Sequence, residues 1–293
     1  MKPKLNFTAA VLPFALFVMV CLCCAPSTSH SQDLSSWFSS GTWWDWSDYR
    51  FKMEYRYFVP RLVSGTFSRD GQDYDLLAPE TGSTGGGYNF DPQPTPINSA
   101  LFQLQVDRVG LRLRVDEDLI FRGMLHNGTG YYSLSELDLS STRLGADLDL
   151  VRYPFLRCGV DFDFNVNPLT FQDDKPDLYR FYKSGGPATI GLHVFAIPAR
   201  IREVPIIVNA KIGFPFPYWK QIVGAQYETR MLEWEVMAGA RPSVWDFSAF
   251  GHSTFSVGIE AGFRSVSIDS NLPQSTSLKA QWQGPFFQFG IYY

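Results

Sequence analysis

The chain is poor in charge and almost without cysteine. Only 18% of its 293 residues are Asp, Glu, Lys or Arg, and three of its four cysteines, Cys21, Cys23 and Cys24, fall close to the N-terminus. Cys158 stands alone in the remainder, so no intramolecular disulfide and no cysteine-based metal site can be built there. Beyond the N-terminus no apolar run reaches about 18 residues, which excludes a bundle of membrane-spanning helices. Positive charge is not in excess either: 25 Lys and Arg against 29 Asp and Glu give −4, which argues against a nucleic-acid partner. No phosphate loop, dinucleotide fingerprint or paired-histidine zinc motif occurs. Asp161, Asp163 and Asn165 have the spacing that opens a calcium loop, but Val166 and Gln172 stand where glycine and glutamate are required. No metal and no cofactor is expected.

The N-terminus has the layout of a secretory signal: Lys2 and Lys4, then an apolar run from Phe7 to Cys24, then small polar residues to Ser31. The assignment is 1–31 signal peptide, 32–47 leader and 48–293 one β domain. An uncleaved anchor, or a lipoprotein signal acylated at Cys21, Cys23 or Cys24, are the competing readings of the same segment. The leader carries Trp37, Phe38, Trp43, Trp44 and Trp46 among serines, a composition suited to a membrane–water boundary on the periplasmic side.

What the rest of the chain has in abundance is alternation. Phe51, Met53, Tyr55 and Tyr57 interleave with Arg50, Lys52, Glu54 and Arg56, and Leu111, Leu113 and Val115 with Arg112 and Arg114. Leu144, Ala146 and Leu148 interleave with Gly145, Asp147 and Asp149, and Val160 and Phe162 with Arg157, Asp161 and Asp163. Side chains two apart share a face of a strand, so each segment is a strand with one apolar and one charged face. Ten strands are expected, near 49–60, 100–115, 118–126, 140–152, 155–166, 187–197, 204–213, 227–241, 252–267 and 279–293, with eight or twelve as alternatives. The second changes phase at Gly110, read as a bulge. The first long connection, 61–99, is rich in Gly and Pro. Tight connections are expected at 116–117 and at Tyr153 and Pro154, and long and short connections broadly alternate.

Alternation alone serves a soluble sandwich equally well. Strand length, aromatic residues near strand ends (Tyr57, Tyr153, Phe155, Tyr227, Trp282, Tyr293) and the ending favour a membrane barrel. The ending, with Phe287, Phe289, Ile291 and Tyr293 spaced by two and an aromatic last residue, resembles the assembly signal of Gram-negative outer-membrane β-barrels. That resemblance implies an antiparallel transmembrane β-barrel in the bacterial outer membrane, recognised by the barrel-assembly machinery and surrounded by outer-membrane lipid and lipopolysaccharide.

With the apolar sets facing lipid, the lumen receives Arg50, Lys52, Arg56, Arg112, Arg114, Arg122, Arg157, Lys211, Arg241 and Arg264. Against them stand Glu54, Asp107, Asp116, Asp147, Asp149, Asp161, Asp163, Glu233, Glu235 and Glu260. A balanced set in a narrow barrel reads as a closed, salt-bridged interior. A narrow, porin-like pore is the second reading, with Arg50, Arg56, Arg112 and Arg114 facing Asp147, Asp149, Asp161 and Asp163 and selecting small charged solutes. A third is an enzyme at the external rim acting on lipid A or peptides. Ten-strand omptin proteases carry paired acids and a His–Asp couple there, and His126 with Asp173 and Asp174 are this chain's nearest equivalents. No other motif of that family is present. Recognition, on the first reading, belongs to the external loops.

Overall fold

In the computed structural model, residues 49–293 are described apart from 70, 78–86, 93–95, 107, 118, 127–131, 154, 168, 176–177, 184–185, 218–227, 248–252 and 273–275. The signal, anchor and leader assignments lie outside the described residues. The strands in chain order are β1 (Tyr49–Phe58), β2 (Arg61–Arg69), β3 (Gln72–Asp75), β4 (Gly87–Phe90), β5 (Ile97–Val106) and β6 (Val109–Asp116). There follow β7 (Ile120–His126), β8 (Tyr132–Asp138), β9 (Ser141–Tyr153), β10 (Leu156–Asn165), β11 (Thr170–Lys175) and β12 (Leu178–Lys183). The last six are β13 (Ala188–Ile201), β14 (Val204–Pro215), β15 (Thr229–Ala240), β16 (Ser243–Phe247), β17 (Ser253–Leu272) and β18 (Thr276–Tyr292).

Ten of these strands, β1, β5, β6, β9, β10, β13, β14, β15, β17 and β18, pair antiparallel in that order. The ring closes where β18 meets β1, from Lys52 opposite Tyr292 to Phe58 opposite Phe286. Phe51 and Tyr293 extend that seam with reciprocal backbone bonds of 2.9 Å. Closure leaves no open edge in the wall, the condition for a sheet to cross a bilayer. Above the ring, β18 passes from β1 to β2, and β2, β3, β4, β7, β8, β11 and β12 continue the sheet into a second, outer tier. β16 continues β15 past Pro242, which has no N–H to give the ladder, and pairs with the first residues of β17.

The outer face is apolar. Phe51, Met53, Tyr55 and Tyr57 are exposed on β1, Leu144, Leu148 and Leu150 on β9, and Ile259 and Phe287 reach 68% and 62% exposure. The inner face of the same strands buries Glu54, Arg56, Asp147, Asp149 and Glu260. Apolar side chains outside and ionised ones inside invert the soluble arrangement. Together with the closed ladder, this makes the protein a membrane-spanning β-barrel of the outer-membrane kind.

The sequence-based barrel strands differ from the observed ones over 100–126, and the expected connections 61–99, 127–139, 167–186 and 242–251 are not plain loops but carry β2 to β4 with the start of β5, then β8, then β11 and β12, then β16. The expected strand 100–115 is two strands, β5 and β6, with the chain reversing between Val106 and Val109. Neither Gly nor Pro marks that turn, so the phase change at Gly110 masquerades as a bulge. The expected strand 118–126 is β7, which pairs with β4 and β8 in the outer tier and not with the ring. The connection at 116–117 is therefore no tight turn between barrel strands but the entry to the β7–β8 hairpin. One strand gained and one displaced leave the count of ten.

Candidate functional site

The lumen has two levels of opposite chemistry. Toward the outer tier, inward positions become apolar: Phe58 and Ile97 at the ends of β1 and β5, Val266, Ile268 and Leu272 along β17, and Leu278, Trp282 and Phe286 along β18. Side chains of the outer tier meet them there, and all join one buried cluster. Phe171 stacks on Phe67 at 4.3 Å and lies 6.4 Å from Phe90. Trp282, expected in an aromatic girdle, belongs to this cluster at 3% exposure. Its even position in the last strand shares the inward face with Phe286, while Phe287 and Phe289 face out.

Below the cluster lies a connected array of charges. Arg264, 1% exposed, spans Asp116 at 3.0 Å and Glu233 at 3.2 Å. Asp116 also accepts from Arg114, Ser99 and Ser141. Glu233 accepts from Arg143 at 2.6 Å. Arg56 donates two bonds to Glu235, at 2.6 and 2.9 Å, and two to the Gln288 amide oxygen. Gln288 donates to Glu260, which also receives Arg241 at 2.8 Å. The Tyr292 hydroxyl lies 2.8 Å from Glu54 and 2.7 Å from Glu260, and its one proton serves one of them at a time. Lys52 pairs with Glu54 at 2.8 Å.

On the opposite wall Arg112 meets Asp161 at 2.5 Å, Asp163 at 3.1 Å and Asp147 at 3.7 Å. Lys211 donates to Asp163. His193 sits between two carboxylates, Nε2 at 2.8 Å from Asp149 and Nδ1 at 3.3 Å from Asp161. Gln103 and Gln105 donate to Asp147 and Asp149. At the boundary between levels the guanidinium of Arg56 lies 3.9 Å from the ring centre of Phe286, and that of Arg264 5.8 Å from Phe58. Cations over ring faces are a favourable way to end a polar interior against an aromatic one.

Glycines make room for these charges. Asp147, Asp163, Asp149 and Asp161 stand directly across the ladder from Gly110, Gly145, Gly159 and Gly191. Glu54, Glu233 and Glu260 stand opposite Gly290, Gly213 and Gly239. A Cβ on Gly110 would lie 2.5 Å from the Asp147 carboxylate, and one on Gly145 1.9 Å from that of Asp163. Small-against-large pairing is how a ten-strand lumen can be filled.

Most of the charges expected in the lumen meet there, and the array adds Arg143 and His193, both on inward parity. Arg122 is a correction: it pairs with Glu136 at 2.8 Å on the β7–β8 hairpin, exposed, because β7 is not a barrel strand. Asp107 lies outside the described residues. Of the four arginines expected to face the acidic strip, Arg112 meets Asp147, Asp161 and Asp163 and Arg50 feels the charge of Asp149, while Arg56 and Arg114 share Glu235. Of the rim-enzyme candidates, His126 ends β7 opposite Tyr132, while Asp173 and Asp174 stand on β11 opposite Ser135 and Leu134. That register puts β8 between them and their backbones roughly 12 Å apart.

The array surrounds a cavity of about 850 Å³. Its lining reaches Arg50, Pro205, Ser256 and Tyr293 at the end of the barrel where the chain termini of the β domain lie, and none of the phenylalanines of the apolar cluster lines it. Among the described residues Met237 is the member of that cluster that also lines the cavity.

Neither a family model nor the sequence of a characterised protein matches the chain. Solved structures do match in shape. The outer membrane protease OmpT from Escherichia coli aligns over 85% of this chain and 97% of its own, at 9% identity and a TM-score of 0.46. The beta domain of the Bordetella autotransporter BrkA aligns over 83% and 98%, at 9% identity and 0.35. A Pseudomonas aeruginosa FadL homologue aligns over 84% and 89%, at 11% identity and 0.27.

Proposed function

We propose that the protein is an integral outer-membrane barrel whose lumen is closed, with the outer tier supplying recognition at the cell surface. The observation that supports this best is the apolar cluster lying across the lumen above the charge array. An ion moving between the two ends meets Phe58, Phe67, Phe90, Phe171, Trp282 and Phe286, where nothing replaces its hydration shell. The charge array then serves as the cross-bracing of the wall, since each buried carboxylate is held by arginines, lysine, histidine or amides. Outer-membrane lipid and lipopolysaccharide contact the apolar outer face. Phe287, Phe289, Ile291 and Tyr293 on the closing strand present the signal to the barrel-assembly machinery.

Planar-bilayer recording of the folded protein tests the proposal. Silence at every applied voltage is the expected result. Steady conductance that changes when Arg112 and Arg114 are neutralised supports the narrow-channel reading instead, for which the deep charged cavity is the favourable feature.

A further inference from the structure

The carboxylates of the cavity wall are already engaged. Among the described residues nine Lys and Arg line the cavity against six Asp and Glu. Each of those six acids has a donor: Glu54 from Lys52, Asp147 from Gln103, Asp149 from Gln105, Asp163 from Lys211, Glu233 from Arg143 and Glu235 from Arg56. Arg157 is different. It lines the cavity toward the end where β1 begins, and among the described residues its contact is the ring of Phe195, 5.4 Å away. Its cross-strand neighbour is Arg152, not an acid. Arg241 approaches the same ring at 5.3 Å. Arg241 is held by Glu260, so the guanidinium of Arg157 is a positive group that meets an aromatic face and no carboxylate among the described residues.

The wall beside Arg157 is apolar. Phe195 stands directly opposite it on β13, and Ile197, Pro205 and Ile207 continue the strip across β13 and β14. An inorganic anion would satisfy the guanidinium and leave this strip wet. An apolar molecule would cover the strip and leave the charge unmet.

We infer that the cavity is a binding site, toward the end where β1 begins, for an amphipathic organic anion: a carboxylate paired with Arg157 and an apolar body laid along Phe195, Ile197 and Ile207. A planar carboxylate matches the two parallel N–H groups of a guanidinium, and ring stacking on Phe195 keeps that fork oriented. The inference builds on the closed-lumen reading, because a cavity in a closed lumen holds its ligand instead of passing it on.

The test uses the folded full-length protein in lipid nanodiscs, titrated calorimetrically with benzoate, inorganic phosphate and benzyl alcohol. Benzoate is expected to bind saturably, one per barrel, with phosphate and benzyl alcohol weaker by about tenfold or more. Arg157→Gln is expected to weaken benzoate by about tenfold, and Arg122→Gln, on the outer tier, to leave it unchanged. Phe195→Leu offers a second variant should Arg157→Gln lose the fold, and each variant is first shown to be folded by its gel shift on boiling. No saturable benzoate binding overturns the inference, as does binding untouched in both folded variants. Phosphate binding as tight as benzoate overturns the amphipathic assignment. A silent barrel without benzoate binding sinks this inference alone, whereas a conducting barrel sinks the closed-lumen proposal whatever benzoate does.

Discussion

Arg264 and Gly145 show what holds the lumen together at the scale of single residues. Arg264 is buried between Asp116 and Glu233, so Arg264→Ala leaves each carboxylate with one cation of two, Arg114 or Arg143, in a site that water reaches poorly. Removing one partner of a buried pair costs about 3–5 kcal/mol, and the midpoint of urea unfolding from lipid vesicles should fall accordingly. An exposed pair such as Arg122 with Glu136 is worth about 0–1 kcal/mol, so Arg122→Ala should leave that midpoint nearly unmoved. Gly145→Ala places a methyl group against the Asp163 carboxylate. Loss of the heat-resistant folded band is the expected outcome, with the double variant Gly145→Ala/Asp163→Ser recovering it. Had the role of Gly145 been backbone freedom, the second change would recover nothing.

At the scale of elements, the two faces of a single strand make opposite predictions. On β9, Leu148 faces outward between Asp147 and Asp149, which face in. An arginine on the lipid face near mid-membrane costs about 2–4 kcal/mol. Leu148→Arg should therefore destabilise the protein in vesicles by that amount, whereas a soluble barrel would hardly register it. The faces were legible in the sequence because a period of two survives without any knowledge of neighbours. The charged residues of β1, β6, β9 and β10 could be placed inward from parity alone. The pairing was not legible. That Gly110 faces Asp147, or Gly191 faces Asp161, depends on register between strands, which a single sequence does not carry. For the same reason β5 and β6 read as one bulged strand, their reversal being built without Gly or Pro. Arg122 was drawn into the lumen by the same displaced reading of β7. The apolar upper level was missed because Val266, Ile268, Leu278 and Trp282 keep the parity of the charges below them, and the change is one of residue type along a face, not of period.

For the whole molecule the two levels make the barrel asymmetric along its axis, wet and charged at one end and packed with aromatic rings at the other. Replacing Phe67 and Phe171 together by Ala removes the stacked pair from the upper level. Each deletion costs about 3–5 kcal/mol of stability, and conductance should appear where the parent is silent, recorded in the same bilayers. Conductance absent from a folded double variant would mean that the charge array closes the lumen by itself. The seam between the first and last barrel strands carries a different consequence, one of time. β1 is the first of the ring strands to be synthesised, yet its partner on one side is β18, with Glu54 opposite Gly290. Every other neighbouring pair in the ring is consecutive among the ring strands along the chain, so the ring can grow strand by strand, but the final join spans almost the whole domain and bears the largest loop-closure entropy. Until that join is made, the nascent sheet has two unsatisfied edges, each a template for a stray strand. Closure therefore waits on β18, the ring strand latest in chain order, and is the step that ends barrel assembly.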